Sequence, residues 1–217
     1  MKLFSEIISW IFLPLLMPVY GLLIAMYVPS QQDYLLNEDS LFFLNPAAKE
    51  AILYMFLIFS AIAPGLSFLY LHKKGIISTI DMENKRERSV PMLIMLAYCL
   101  VLYFLFVIKA PGGVLPKYVY ALPLSGVFVT AAYGIINRWT KISLHAGGAG
   151  ILSGFLYAYA CEQFEFQFWI LLFPIIASGL TLTARLFLEK HTPLEVYTGW
   201  SAAAIVTFLV NLLYPLS

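Results

Sequence analysis

PMLIMLAYCLVLYFLFVIKA, at residues 91–110, is the stretch that decides the fold class of this chain. Its twenty residues contain one charged side chain, at Lys109. A helix of about 20 mostly apolar residues is long enough to cross the hydrocarbon core of a bilayer. The stretch therefore predicts a transmembrane helix.

Working outward from this stretch, the sequence contains six more apolar runs of comparable length. The predicted spans are 7–28, 48–71, 91–110, 117–137, 145–160, 167–184 and 194–215. The fifth span is the shortest of them. The sequence shows no internal repeat and no linker, so we predict one integral membrane domain over residues 1–217. Its fold class would be all-α, a polytopic helical bundle of six or seven transmembrane helices with no sheet.

The overall composition supports this prediction and narrows the range of partners. Hydrophobic residues make up 61% of the chain and charged residues 12%, whereas a typical soluble domain has about 25% charged residues. The lipid bilayer is therefore the expected environment. The formal net charge of +1 argues against a nucleic-acid partner, because nucleic-acid binders are usually basic.

The loops between the predicted spans alternate in charge. Those after spans one, three and five read QQDYLLNEDS, PGGVLP and CEQFEFQ and are acidic or neutral. The loops after spans two, four and six are basic, and one face of the membrane therefore collects most of the cations. These are Lys73, Lys74, Lys85, Arg86, Arg88, Arg138, Lys141, Arg185 and Lys190. The positive-inside rule would place this face, with the N-terminus, in the cytoplasm.

Two of the three histidines, His145 and His191, lie at this basic face among residues that suggest chemistry. His191 precedes Glu195 by four positions and follows Arg185 by six. A spacing of four places two side chains on one helix face, so Glu195 can accept a hydrogen bond from one ring nitrogen of His191. The other nitrogen would then be free to act as a nucleophile. A nearby guanidinium can hold a phosphate with two hydrogen bonds.

His145 follows Ser143 at the predicted start of the fifth span, in KISLHAGGAG. Backbone N–H groups at a helix N-terminus favour an anion, and the positive end of the helix disfavours an extra proton on a nearby imidazole. We therefore expect His145 to be a tunable acid or base. Gly150 and Gly154 have the spacing of a close helix–helix contact.

A third cluster, NKRERSVP, contains Lys85, Arg86 and Arg88 just before the third span. Alone, these cations would be read as anchors at the membrane interface. Together with two histidines and backbone amides on the same face, they favour a phosphate site.

These residues resemble the motifs of the type-2 phosphatidic acid phosphatase superfamily. Arg185-x5-His191-x3-Glu195 is similar to its third motif, which reads Arg, five residues, His, three residues, Asp. Ser143-Leu144-His145 resembles the second motif, Pro-Ser-Gly-His. The segment from Lys85 to Pro91 loosely resembles the first motif, Lys, six residues, Arg-Pro. The resemblance covers roughly residues 80–205.

The chain departs from this pattern at four positions. Ile142 and Leu144 stand where the family has Pro and Gly, and Glu195 stands in place of Asp. Seven residues before Arg88, where the first motif has Lys, the chain has Asp81. Lys85 or Arg86 would have to take the place of that lysine.

The resemblance implies a metal-independent phosphatase that needs no cofactor and acts on a membrane lipid phosphate or an isoprenoid diphosphate. His191 would form a phosphohistidine, Glu195 would orient it, and His145 would protonate the leaving group. The phosphate-binding residues would be Arg185, Lys85, Arg88 and Ser143. The family's sites usually face away from the cytoplasm, whereas the charge distribution here favours a cytoplasmic site in a bacterial inner membrane.

Several other interpretations stay open at this point. The histidines could be ordinary interfacial residues, or the chain could bind or transport lipid phosphates without catalysis. His145, His191 and Glu195 could ligate a metal, although the neighbouring cations would repel it. Asp81, Glu83 and Glu87 could bind magnesium diphosphate in a polyprenyl transferase. A polyprenyl transferase requires a second acidic cluster on the same face. The other two acidic clusters, at residues 33–39 and 162–165, fall on the opposite face.

Overall fold

A computed structural model describes residues 1–32, 40–82, 84–111 and 114–215 of the chain. Helix accounts for 78% of the molecule, which confirms the predicted all-α class. The α-helices are α1 (Lys2–Ile11), α2 (Met17–Tyr27), α3 (Pro46–Phe56), α4 (Ala63–Lys73), α5 (Ser89–Lys109), α6 (Tyr118–Ile136), α7 (Leu144–Cys161), α8 (Leu172–Phe187) and α9 (Pro193–Leu213). Two short strands are β1 (Ser30–Gln32) and β2 (Gln163–Phe166).

Six helical segments of the described chain are long and apolar enough to cross a membrane. They are Lys2–Tyr27, Pro46–Lys73, Lys85–Lys109, Tyr118–Ile136, Phe168–Phe187 and Pro193–Leu213. Each overlaps one of the predicted spans, so the prediction of an integral membrane bundle is confirmed. The longer segments include short turns of other helix types at Pro14–Leu16, Leu57–Ile62, Lys85–Arg88 and Phe168–Leu171.

The remaining predicted span, 145–160, forms α7, which is helical but is not among those six segments. Twelve of its eighteen residues are buried, and it packs against α2, α8 and α9. The helix forms the centre of the bundle, where its neighbours rather than lipid surround it.

Glycines allow α7 to pack this closely. A Cβ atom at Gly150 would collide with the carbonyl oxygen of Trp200, and one at Gly154 would collide with that of Ala204, both in α9. The predicted close helix contact at Gly150 and Gly154 is therefore confirmed. Such contacts are one of the main sources of association between helices in a membrane.

The first two segments are both interrupted, at facing positions. Helix α1 ends at Ile11, and the backbone turns at Leu13 before Pro14, whose ring cannot continue a helical hydrogen-bond ladder. In the second segment a π-helical turn at Leu57–Ile62 contains Ser60. The Ser60 hydroxyl lies 2.7 Å from the Phe56 carbonyl of its own segment and 3.1 Å from the Leu15 carbonyl of the first, so the two interruptions are in contact.

At the end of the bundle where α7 terminates, β1 and β2 form an antiparallel two-stranded ribbon. The prediction of no sheet is therefore wrong. The strands follow α2 and α7, whose ends meet at this face, and outside the hydrocarbon the loop backbones can pair. We call this region, with Lys117 and Glu162, the ribbon end. An α-helix of 18 residues is about 27 Å long. The length of α7 therefore separates the ribbon end from the region where α7 starts.

The basic loops come together at the start of α7. Lys85 Nζ donates to the Arg138 carbonyl at 2.9 Å, and Lys141 Nζ donates to the Lys190 carbonyl at 3.0 Å. The Ser143 N–H donates to the Glu195 carbonyl at 3.3 Å. These contacts join the basic loops that follow the second, fourth and sixth predicted spans. The predicted order of spans places these three loops on one face of the membrane. We call this region, which comprises the loops around Lys85, Lys141 and Lys190 and the start of α7, the cavity end.

Candidate active site

His191 and Glu195 lie where the α8–α9 loop enters α9. Thr192 is the N-cap, and its hydroxyl accepts a hydrogen bond from the Glu195 N–H, while a Glu195 carboxylate oxygen accepts one from the Thr192 N–H at 3.0 Å. Pro193 occupies the first helical turn, where its missing N–H costs nothing. This reciprocal capping fixes the carboxylate of Glu195.

The same carboxylate oxygen holds His191. Glu195 Oε2 lies 3.2 Å from His191 Nδ1, the contact that the four-residue spacing predicted. Since Nδ1 is engaged as a donor, the remaining lone pair of a neutral ring lies on Nε2. The arrangement therefore selects one tautomer of His191 and orients it.

The protonation state of His191 follows from its surroundings. Its side chain is 3% exposed. Burial is the largest effect and, with the positive charge of Arg88, lowers its pKa from 6.5 to about 4, although the Glu195 hydrogen bond opposes the change. His191 is therefore a neutral imidazole at physiological pH, the state in which it can act as a nucleophile.

Arg185 lies in the last turn of α8 and is 4% exposed. Its Nη2 atom is 3.7 Å from a carboxylate oxygen of Asp81, which belongs to the loop after α4. A buried guanidinium facing a half-exposed carboxylate marks a place where this protein already holds an anion.

Arg88 is almost fully buried and serves the fold as well as the site. Its Nε donates to the Met82 carbonyl at 2.9 Å, and its Nη1 donates to the Ile142 carbonyl at 2.5 Å. The guanidinium thus ties the loop after α4 to the start of α7. Part of its hydrogen-bonding capacity is used by the backbone, but its charge stays close to His191.

His145 is the second residue of α7 and is partly buried. It lies within electrostatic range of Arg185 and His191, and Ser9 of α1 lines the same cavity. Helix α1 therefore contributes directly to the surroundings of His145.

A cavity of about 930 Å³ connects these groups. Its polar lining includes Arg88, His145, Arg185, Lys190 and His191. Its apolar walls come mainly from α1, α4, α5, α6 and α7 and include Trp10, Leu13, Phe68, Leu69, Met92, Met95, Val129 and Ile151. Trp10 and Leu69 are also largely exposed on the outer surface. The cavity thus combines a cationic end with an apolar wall that reaches the lipid-facing surface.

Two of the predicted phosphate-binding residues do not line this cavity, although both belong to the described chain. Ser143 is fully buried as the N-cap of α7, where its hydroxyl accepts from the Ala146 N–H at 3.4 Å. Lys85 is directed to the Arg138 carbonyl. The structure brings His145, His191, Arg185 and Arg88 together, with Glu195 behind His191, and leaves Ser143 and Lys85 outside.

Helix α1 is the part of the site that sequence reasoning missed. Lys2, Glu6 and Ser9 all line the cavity. Their spacing of four and three residues places them on one helix face. That polar stripe, in an otherwise apolar segment, was a readable signal that this face of α1 meets something other than lipid.

The same geometry bears on the two metal-dependent interpretations, which are a histidine–carboxylate metal site and a magnesium diphosphate site. Among the described residues, no three His, Cys, Asp or Glu side chains gather as a metal site would require. Glu87 instead accepts hydrogen bonds from the Ser78 N–H and hydroxyl, at 2.7 and 2.9 Å. Glu83 and the acidic residues Asp33, Glu38 and Asp39 lie outside the described residues.

No family model matches the chain, and comparison with curated proteins and with solved structures finds no match either.

Proposed function

We propose that this protein is an integral membrane phosphatase that hydrolyses a lipid phosphate or isoprenoid diphosphate through a phosphohistidine. The observation that carries the proposal is the 3.2 Å contact between His191 Nδ1 and Glu195 at the cationic end of a cavity with apolar walls. An oriented neutral imidazole beside two arginines suits attack on a phosphoryl group.

In the first step, His191 Nε2 would attack phosphorus, forming a P–N bond as the P–O bond to the leaving group breaks. His145 would give its proton to that oxygen. In the second step, water would attack the phosphohistidine, lose a proton to His145 and break the P–N bond, which releases inorganic phosphate. No metal or cofactor takes part in this scheme.

The positive charges of Arg185 and Arg88 would stabilise the phosphoryl oxygens in both steps. One well-placed donor is worth roughly 3–4 kcal/mol in a transition state. Binding of the phosphate also brings negative charge towards His145, which favours the protonated imidazole that the first step requires.

The cavity supports a lipid rather than a soluble phosphate ester as the substrate. Most of its lining is apolar, and Trp10 and Leu69 connect it with the lipid-facing surface. A phosphate held by Arg185 would leave room for an acyl or isoprenoid chain along the walls. Phosphatidic acid, phosphatidylglycerol phosphate and undecaprenyl diphosphate share this chemistry.

We further propose a bacterial inner membrane, with the N-terminus and the cavity end in the cytoplasm. Without the candidate site cations, Lys2, Lys73, Lys74, Arg138 and Lys190 remain at that end. The cations at the ribbon end are Lys49, Lys109 and Lys117. Lys117 is buried against Glu162 and Lys49 donates to the Met26 carbonyl, whereas Lys109 is exposed. Labelling of a single cysteine placed at position 2 or 81, in a protein in which Cys99 and Cys161 are replaced, with an impermeant reagent in intact cells tests this orientation, and strong labelling would refute it.

A second candidate is a lipid-phosphate-binding or transport protein without catalysis. The position of Ser143 and Lys85 outside the cavity favours it, because a bound phosphate would then meet fewer side-chain donors than the motif resemblance implies. The same cavity would select the same ligands. Turnover is what separates the two functions.

The test is phosphate release by detergent-purified protein from the three lipids, with a chelator present throughout. A radiolabelled phosphoenzyme that survives alkali and is lost in acid would identify phosphohistidine. Release that needs added metal would refute the mechanism. Binding of the lipids without release, in a protein that unfolds cooperatively, would favour the non-catalytic alternative.

A further inference from the structure

The loop after α4 places a carboxylate at the cationic end of the cavity. Asp81 Oδ2 lies 3.7 Å from Arg185 Nη2, and the Asp81 side chain is 46% exposed, whereas that of Arg185 is 4% exposed. Asp81 also lines the cavity. The carboxylate therefore lies at the buried guanidinium and is itself open to solvent.

The fold holds this loop in place on both sides of Asp81. Met82 has a φ of 49° and a nearly buried side chain, and its carbonyl accepts the hydrogen bond from Arg88 Nε at 2.9 Å. A positive φ is uncommon for a residue with a side chain and persists where surrounding contacts require it. Earlier in the loop, Ser78 is bound by Glu87 and Ile77 is 1% exposed. Asp81 is thus presented by a structured loop.

A carboxylate and a phosphate compete for the same donors, because both offer oxygen pairs that match a guanidinium. An ion pair with one half-exposed partner is weak, worth about 0–1 kcal/mol. Asp81 can therefore be displaced by a stronger anion, but it weakens the binding of every anion that must displace it.

We propose that Asp81 is a built-in competitor that occupies the phosphate subsite at Arg185 and keeps free inorganic phosphate from saturating the site. This inference rests on the proposed function. Inorganic phosphate would draw all its affinity from the cationic end. A lipid phosphate gains further binding from the apolar walls, at roughly 25 cal/mol per Å² buried, and so tolerates the competition. Asp81 would thereby keep the subsite from filling with inorganic phosphate when no lipid phosphate is bound.

The test measures inorganic phosphate binding to the full-length protein in detergent by isothermal titration calorimetry, without turnover. Asp81→Asn should tighten phosphate binding by about fivefold, the factor that corresponds to 1 kcal/mol. Asp81→Glu should retain the weaker binding. Glu165→Gln is the matched control, because it removes an exposed carboxylate at the ribbon end, outside the cavity lining, and it should change binding less than twofold.

Kinetics supply a second readout. In Asp81→Asn the inhibition constant for phosphate and the KM for a lipid phosphate should fall together, since both anions displace the same carboxylate. Structural damage to the loop would weaken binding instead, so the direction of the change is diagnostic. Unchanged or weaker phosphate binding in Asp81→Asn overturns the inference, even if the protein is an active phosphatase. Tighter binding without any turnover would support the inference and refute the enzymatic function.

Discussion

The two ends of α7 differ in the surroundings of their buried charged side chains. At the ribbon end, Lys117 Nζ lies 2.7 Å from Glu162, and the Tyr118 hydroxyl donates to the other oxygen of that carboxylate at 2.5 Å. At the cavity end, two buried arginines and two histidines face Glu195 and the half-exposed Asp81. The first arrangement is enclosed within the protein, whereas the second borders the open space of a cavity.

This difference separates a structural polar cluster from a candidate binding site. Around Tyr159, the hydroxyl groups of Ser30 and Ser40 lie at 3.0 and 2.8 Å and extend the closed network of the ribbon end. Buried charges are costly unless they are paired, and at the cavity end the buried arginines line a cavity that an anion can enter. We therefore expect substitutions to affect stability at one end and activity at the other.

The largest expected effect is on turnover in His191→Ala. His191 is the assigned nucleophile and His145 is assigned to proton transfer, so phosphate release should fall by at least about 10⁴-fold, the scale for loss of a covalent nucleophile. The thermal unfolding midpoint should change little in comparison. His72→Ala is a control at the remaining histidine, whose Nδ1 lies 3.2 Å from the Ile77 carbonyl. Undiminished release in His191→Ala would rule out the phosphohistidine.

His145→Ala should reduce turnover by about 10²–10⁴-fold, the usual contribution of general acid catalysis. The loss should be largest for monophosphate esters, whose alkoxide leaving group needs a proton. It should be smaller for an isoprenoid diphosphate, whose leaving group is a stable phosphate anion. Parallel assays of phosphatidic acid and undecaprenyl diphosphate measure this ratio, and equal losses would contradict the assigned role.

Lys117→Ala tests the ribbon end. Removing one partner of a buried ion pair should destabilise the protein by about 3–5 kcal/mol, because Glu162 would be left buried and unpaired. Lys117→Met combined with Glu162→Gln should recover most of this loss, since the amide oxygen still accepts from Tyr118. Chemical denaturation followed by tryptophan fluorescence provides the measurement. A larger effect on KM than on stability would show that the two ends are not distinct.

Glu195→Gln is the most conservative change. Glutamine can keep the capping box, so α9 should remain stable while turnover falls by about 10–100-fold, as for other carboxylates that orient a functional histidine. Glu195→Asp should be better tolerated, because the superfamily motif has Asp at this position.

The pH profile sharpens this prediction. A protonated His191 cannot attack, and its pKa is lowered to about 4, so kcat/KM should fall as the pH falls through about 4. The Glu195 carboxylate raises that pKa against the effect of burial. Its removal should therefore move the acid limb to still lower pH. Comparing both proteins on the same substrate cancels the titration of the substrate, and an acid limb that shifts upward would contradict the assignment.

The parts of this molecule that are encoded locally could be predicted from the sequence. The pairing of His191 with Glu195 depends on a local turn, because His191 directly precedes the N-cap Thr192 and Glu195 belongs to the first turn of α9. The apolar runs depend only on length and composition. The exclusion of Lys85 from the cavity could not be predicted, because it depends on the packed loops bringing the Arg138 carbonyl near its Nζ atom. Ser143 is excluded because it is buried as the N-cap of α7. The same limit on prediction holds for Asp81, whose approach to Arg185 joins residues more than 100 positions apart.

Helix α7 has a consequence for how the protein is made. It is not apolar enough to count among the six membrane-crossing segments, and its close contacts at Gly150 and Gly154 are with α9, which is synthesised later. During insertion, α7 can therefore form these stabilising contacts only after α9 has been synthesised. The centre of the bundle, and with it the juxtaposition of His145 and His191, is completed only when the last helix has entered the membrane.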